Sequence, residues 1–368
     1  MVYRLLNGHA TNYDQLILVT ACLFEKSSMI GYSPLLFLAI LASSLTLQFA
    51  NGDEMTAQDF LRREKGLMRF GRSDVWIVRD EQRMQRRLQG YSSMKATIQK
   101  VQNGLAVRIA ENRTGWLQLT NVESELRALS SAKPLNAPRR RQLQRQRNIL
   151  RQRFVKPSQL SGVPAVQSRL IELTNARNNL GLSIVWVRAT MPKVAERYEQ
   201  LNRDEETLDA LRRLGGAHRL GPVFNFERVS RTLREYEEVA FTSTLPLYRQ
   251  SGRLRLSGII NDDTPITFSW RDVGGRVVIT SNMAQSAGID MSSDAPRAEL
   301  QFGTRRLTAV RVRIPYLRFG KHVFREVDAY VLPPEGEQLG AEIGRGVFRD
   351  VQIKLQPELL SAKIGNFD

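Results

Sequence analysis

The chain has 368 residues, 42% of them hydrophobic, and carries 54 Lys and Arg against 37 Asp and Glu, a net charge of +17. That length supports one or two buried cores, and the charge favours either an anionic partner (membrane surface, nucleic acid or acidic polymer) or a well-hydrated basic surface. A single cysteine, Cys22, excludes an internal disulfide framework or a thiolate metal cage, and three scattered histidines, His9, His218 and His322, fit neither a zinc site nor a Ser-His-Asp triad.

No Gly-rich phosphate loop or dinucleotide fingerprint occurs, so neither a cofactor nor a metal is expected. Residues 32–52, YSPLLFLAILASSLTLQFANG, hold an apolar run from Pro34 to about Leu45 followed by small and polar residues. That is the length and tail of a secretory signal segment, and short for a membrane span. Lys26 supplies a positive flank, and Met29 is a second candidate start. The alternative is an uncleaved anchor made of residues 29–50. Either way the remainder is expected outside the cytoplasm, in the periplasm or cell envelope.

Residues 51–78 read as a short Thr-capped helix, then a turn at Gly66 and Gly71 into an extended piece. From Arg79 to about Ala132 the apolar residues Leu88, Tyr91, Ile98, Val101, Leu105, Ile109, Trp116, Leu119, Val122, Leu126 and Leu129 recur mostly at three, four or seven. This predicts an amphipathic helix, weakened at Gly104 and Gly115. Pro134 and Pro138 interrupt the pattern, and a second helical stripe runs from about Val163 to Leu214, with a kink expected at Pro192. Two helices of about 50 residues, each about 75 Å long, predict an antiparallel, coiled-coil-like hairpin over 79–225 with a break at 134–162. A compact bundle broken at the glycines is the alternative.

The break carries PRRRQLQRQRNILRQRFVK, residues 138–156. Its cations are Arg139, Arg140, Arg141, Arg145, Arg147, Arg151, Arg153 and Lys156, with no acid among them. This suits either a solvated helix surface near the hairpin tip or a surface for phosphate-like anions such as lipid head groups. Nucleic acid is disfavoured, since only Phe154 offers a stacking ring. GGAHRLGPVFNF, residues 215–226, then ends the helices, and a short helix over about 226–238 leads into a last domain.

Beyond Ala240, β-branched and aromatic residues dominate. RLRLSGIINDDTPITFSW reads as a β-hairpin across Asn-Asp-Asp, further strands turn near Gly303 and Gly320, SNMAQSAGI is a short helix, and IGRGVFRDVQIKL gives a helical turn and a final strand. Short strands at this spacing predict a small β-barrel over 239–360. The fold class expected is therefore multidomain α plus β: a long helical hairpin followed by a closed β-barrel.

Over about residues 243–358 the order of these pieces resembles the retropepsin-like aspartic proteases. FSWRDVGGRVVIT is similar to the family's Asp-Thr-Gly loop with its lead-in and β-branched run. VVITSNMAQSAGI fits the stretch after that loop, and YVLPP fits the approach to a second turn. EIGRGVFRDVQIKL fits the aliphatic-aliphatic-Gly turn with the short helix and last strand after it. With a signal segment and long helices in front, the arrangement resembles exported bacterial proteins carrying such a domain at the C terminus. The resemblance implies a closed barrel, a flap hairpin around Gly303, and a homodimer in which each chain supplies one carboxylate to a proton-sharing pair.

The loop departs from the family's pattern. If Asp272 is the catalytic residue, Val273 replaces the bracing hydroxyl, Gly274 is kept, and Gly275 and Arg276 replace Ala-Ser in a loop one residue short. If the register is held without a gap from VVIT backwards, Arg271 stands on the Asp position, and a guanidinium is no base. In the second turn Glu342 stands where an aliphatic belongs, before Ile343 and Gly344. Three functions stay open: a non-catalytic envelope binding or scaffold module with a protein or peptide partner, a homodimeric endopeptidase using Asp272 from each chain, and an anionic-surface binder acting through Arg139–Lys156.

Overall fold

The computed structural model describes residues 56–131 and 136–367. The expected signal segment or anchor, Cys22, Met29 and Pro134 lie outside the described residues. The chain divides into two compact units, Met1–Lys65 and Gly66–Asp368. The first contributes helix α1 (Ala57–Arg63), opened by Thr56, whose hydroxyl accepts from the Asp59 N–H.

The second unit holds the long helices and the β-domain together. A hairpin of β1 (Leu67–Arg69) and β2 (Val75–Val78) leads directly into helix α2 (Arg79–Ser131). This helix runs 53 residues without interruption and buries Tyr91, Ile98, Val101, Leu105, Leu119, Val122 and Leu126, most of the predicted stripe. Gly104 and Gly115 do not break it. Gly115 is instead a seat: a Cβ there would lie 2.3 Å from the Phe154 ring, so only a bare backbone admits that side chain.

The return limb differs from the expectation. The basic stretch is no break but helix α3 (Ala137–Arg153), packed through Leu143 and Leu150 against Leu119, Val122 and Leu126 of α2. Pro138 lies in the first turn of α3, where its missing N–H costs nothing, and the Asn136 side chain caps the start by accepting from the Arg139 N–H. The interruption comes later, at Phe154–Val163. There Asn112 of α2 reaches across, accepting from the Val155 N–H at 3.1 Å and donating to the Val155 carbonyl at 2.9 Å.

Helix α4 (Pro164–Arg203) then returns along the first half of α2. It contains Pro192 and stops at Asp204, short of the predicted Leu214, where α5 (Glu205–Arg213) begins. Strand β3 (Arg219–Leu220) pairs with β2, and helix α6 (Phe226–Ala240) comes next, capped by Asn225. A buried polar knot ties these pieces together. Glu81 of α2 accepts from the Tyr198 hydroxyl and from the N–H groups of Val223 (2.7 Å) and Phe224 (3.1 Å), while Tyr198 Oη accepts from the Val78 N–H.

The remaining strands are β4 (Thr244–Pro246), β5 (Tyr248–Gln250), β6 (Arg253–Ile260), β7 (Thr264–Arg271), β8 (Val277–Thr280), β9 (Arg297–Phe302), β10 (Arg305–Phe319), β11 (His322–Leu332), β12 (Ala341–Gly344), β13 (Gln352–Gln356) and β14 (Ser361–Gly365). Six of them form a ring in the order β6-β7-β12-β8-β11-β10, closed where Leu317 and Arg318 of β10 pair with Ile260 and Ile259 of β6. The predicted hairpin across residues 261–263 joins β6 to β7, with Asn261 and Asp262 at positive φ. Helix α7 (Ser281–Ser286) takes the first six residues of the predicted SNMAQSAGI helix.

The ring encloses one apolar core. Phe268, Trp270, Phe319, Phe324 and Phe348 make tilted or edge contacts, with Val277, Ile279 and Ile343 around them. The predicted final strand, β13, is not the last: β14 comes after it and sits between β13 and β4 in a separate three-stranded sheet. The barrel thus recruits the chain beyond residue 360 as well.

Candidate active site

The loop at residues 272–276 links β7 to β8, and β12 lies between those two strands, parallel to β7 and antiparallel to β8. This threads the second turn directly beneath the loop. Gly274 has a φ of 87°, a conformation open to glycine and costly to side chains. Its carbonyl accepts from the Gly346 N–H at 2.8 Å, and the Arg276 carbonyl accepts from the Gly344 N–H at 3.0 Å. A Cβ on Gly344 would lie 2.3 Å from the Gly274 oxygen, so the close approach needs glycine at 344, while at 274 it is the positive φ that needs it.

Within that frame the side chains alternate. Trp270 turns into the core, while Ser269 and Arg271 face outward. Glu342 pairs in register with Ser269 across β7 and β12, on the same outer face. Glu342 is only 2% exposed, and its hydrogen bonds gather on one oxygen, Oε1. Arg271 Nε lies 2.6 Å from its Oε2, Arg271 Nη2 donates to Oε1 at 3.1 Å, and Arg253 Nη1 donates to Oε1 at 2.9 Å. Arg271 therefore lies against both carboxylate oxygens but hydrogen-bonds only through Nη2 to Oε1, and Oε2 is left as a buried oxygen held by charge alone. Its other side lies 5.7 Å from the centre of the Phe302 ring, at the end of β9.

Two residues that depart from the family's pattern, 71 positions apart, are thus partners. The replacement of an aliphatic by Glu342 is matched by the guanidinium of Arg271. Arg255, paired in register with Ser269, donates to its hydroxyl and adds a third cation to the same face. Neither Arg253, Arg255, Ser269 nor Phe302 stands out in the sequence alone. The signal was the two-residue period of β6, in which Arg253 and Arg255 alternate with Leu254 and Leu256, combined with the hairpin register.

Asp272 goes elsewhere. Its Oδ1 accepts from the Trp270 indole N–H at 2.7 Å, and its neighbour Val273 is 77% exposed, with nothing to brace the loop. Asp272 is the one carboxylate between Arg271 and Arg276. Gly303, at φ 62°, turns the β9–β10 hairpin, which places Phe302 beside the Arg271 guanidinium. Ile343 packs into the barrel core. Gly275 faces Gly346 and Arg349. Among the described residues no cluster of three His, Cys, Asp or Glu could hold a metal ion.

The predicted anion-binding cations all lie on or just after α3, remote in sequence from this loop. Arg139 pairs with Glu125 and Arg151 with Glu123, both on α2. Arg153 lies over the Phe154 ring, and Arg147 donates to the Asn148 side chain. Arg140, Arg141, Arg145 and Lys156 are exposed.

Residues 257–348 match the family model described as aspartyl protease. Among solved structures, a retropepsin-like aspartic protease from Rickettsia conorii is similar over 34% of this chain and 89% of its own, at 13% identity and a TM-score of 0.28. No curated protein matches the chain. The C-terminal region is a retropepsin-like domain, on the family match and the ring with its threaded loop.

Proposed function

We propose that the retropepsin-like barrel of this chain is a non-catalytic binding module, carried by a protein that works outside the cytoplasm in the cell envelope. One observation carries the reading: Arg271, partly exposed, pairs with the buried Glu342 beside the β9–β10 hairpin, at the two places that correspond to the family's catalytic loop and second turn. An aspartic protease needs two carboxylates facing one water and sharing a proton. Here each copy brings one loop carboxylate, held by its own Trp270, beside a guanidinium engaged with Glu342. A homodimer of such barrels would be an assembly surface rather than a protease. The apolar run at 34–45 supports export.

Two arginines on one carboxylate, with Arg255 on the neighbouring Ser269, leave this face cationic, which suits an acidic peptide or protein segment. The test is a peptide array of acidic, neutral and basic sequences incubated with the full chain and recovered for mass analysis. Acidic peptides are expected to bind and to return intact, with weaker binding to an Arg253→Ala, Arg255→Ala variant. Failure of a folded chain to retain any peptide, or recovery of cut peptides, would overturn the reading. A second reading is favoured by α3 itself, whose outward face carries Arg140, Arg141 and Arg145 together with an exposed Ile149. That combination suits an anionic lipid surface.

A further inference from the structure

Where α4 crosses the barrel, Arg177 is 8% exposed, and among the described residues no carboxylate pairs with it. Its Nη1 donates to the Thr244 carbonyl at 2.9 Å, an oxygen that already accepts from the Thr242 hydroxyl at 2.6 Å. Its Nε is buried and has no protein partner. The guanidinium lines a cavity of about 30 Å³ together with Asn178, Phe241, Ser257 and Arg318. The polar groups there are mostly donors or already engaged. Asn178 Nδ2 donates to Ser257 Oγ at 3.0 Å, and Ser257 Oγ donates to the Ile266 carbonyl at 3.3 Å. Arg318 is neutralised by Asp262 at 2.8 Å and stacks over Phe241. One buried positive charge is therefore left without a carboxylate at the wall of this cavity.

We infer that this cavity is a binding site for a small monovalent anion of halide size, held against the Arg177 guanidinium and bridging α4 to β4 and β6. Leaving a cation buried and unpaired is costly, and an anion relieves that cost where the fold supplies no carboxylate. Burial alone already pulls the Arg177 guanidinium down to about 10. The volume sets the size, since a water-sized occupant needs roughly 10–15 Å³ on the same measure. Gly181, one turn further along α4, packs so closely on Phe241 that a Cβ would lie 2.6 Å from the ring, which fixes the helix against this wall.

The test compares the thermal midpoint of the full chain in chloride or bromide with that in gluconate at equal ionic strength. A saturable rise with halide is expected, and an Arg177→Gln variant should lose it. A midpoint that tracks ionic strength alone, or a variant that responds like the parent, would overturn the proposal. Because the variant can fail to fold, crystals of the parent chain grown in bromide give an independent readout. An anomalous peak beside Arg177 supports the site, and water at full occupancy there in saturating bromide sinks it.

Discussion

Glu342 is the residue on which the reading turns. A buried carboxylate with two guanidinium partners costs little while both are present, but removing one member leaves the other stranded. Glu342→Gln is expected to destabilise the chain by about 1–3 kcal/mol in denaturant unfolding, moderated because Arg271 and Arg253 keep some solvent contact. Arg271→Asp alone should cost more, placing two carboxylates together. Combining it with Glu342→Ile should recover much of the loss, because the pair is then removed as a unit. Additive losses in the double variant would show that the two positions are not coupled. Both residues were visible in the sequence as departures. Their partnership was not, because it depends on β12 threading between β7 and β8.

Tyr198 gives a second test at this scale. Burial, then the Glu81 hydrogen bond, holds its hydroxyl well above the ordinary value of 10.0, and burial moves Tyr91 the same way. The unfolded chain releases these protons near pH 10 while the folded chain keeps them. Their contribution is therefore complete below about pH 10 and lost as the pH rises above it. Unfolding free energies measured at about pH 8 and about pH 11 should fall for the parent and fall less for Tyr198→Phe. Equal slopes would contradict the assignment, since Arg177 contributes equally to both proteins.

Among the elements, the long helix α2 was legible because its apolar residues recur at helical spacing over its whole length. The return limb departs from the expected break at α3, where only Leu143 and Leu150, seven apart, mark a buried side among the arginines. So thin a stripe does not carry the hairpin's periodicity onward, and Pro138 reads as a breaker although it opens the helix. The true interruption is bounded by Pro157 and Pro164 and held by Asn112 and Gly115, whose partners at Val155 and Phe154 no periodicity announces. If the exposed face of α3 meets anionic lipid, the full chain should bind phosphatidylglycerol vesicles more strongly than phosphatidylcholine vesicles. Binding should fall steeply with added salt and weaken in an Arg140→Gln, Arg141→Gln, Arg145→Gln variant. Equal binding to both vesicle types, or binding indifferent to salt, would leave α3 as a hydrated surface.

For the molecule as a whole, the order of pieces in the last third was enough to anticipate a closed barrel. Hairpin turns at residues 261–263, Gly303 and Gly320 appear where the local chemistry put them. What local pattern could not supply was closure, which rests on the pairing of β10 with β6, or the addition of β14 alongside β4. Nor does it show that α4 and the barrel belong to one compact unit. The central claim is that this barrel kept the fold and exchanged its carboxylate chemistry for an ion pair. It is tested most directly by incubating the full chain with a diverse peptide library from about pH 3 to about pH 7, beside an Asp272→Ala control. The account predicts no cleavage by either protein at any pH. Cleavage by the parent that disappears in the control would contradict it and establish a dimeric peptidase.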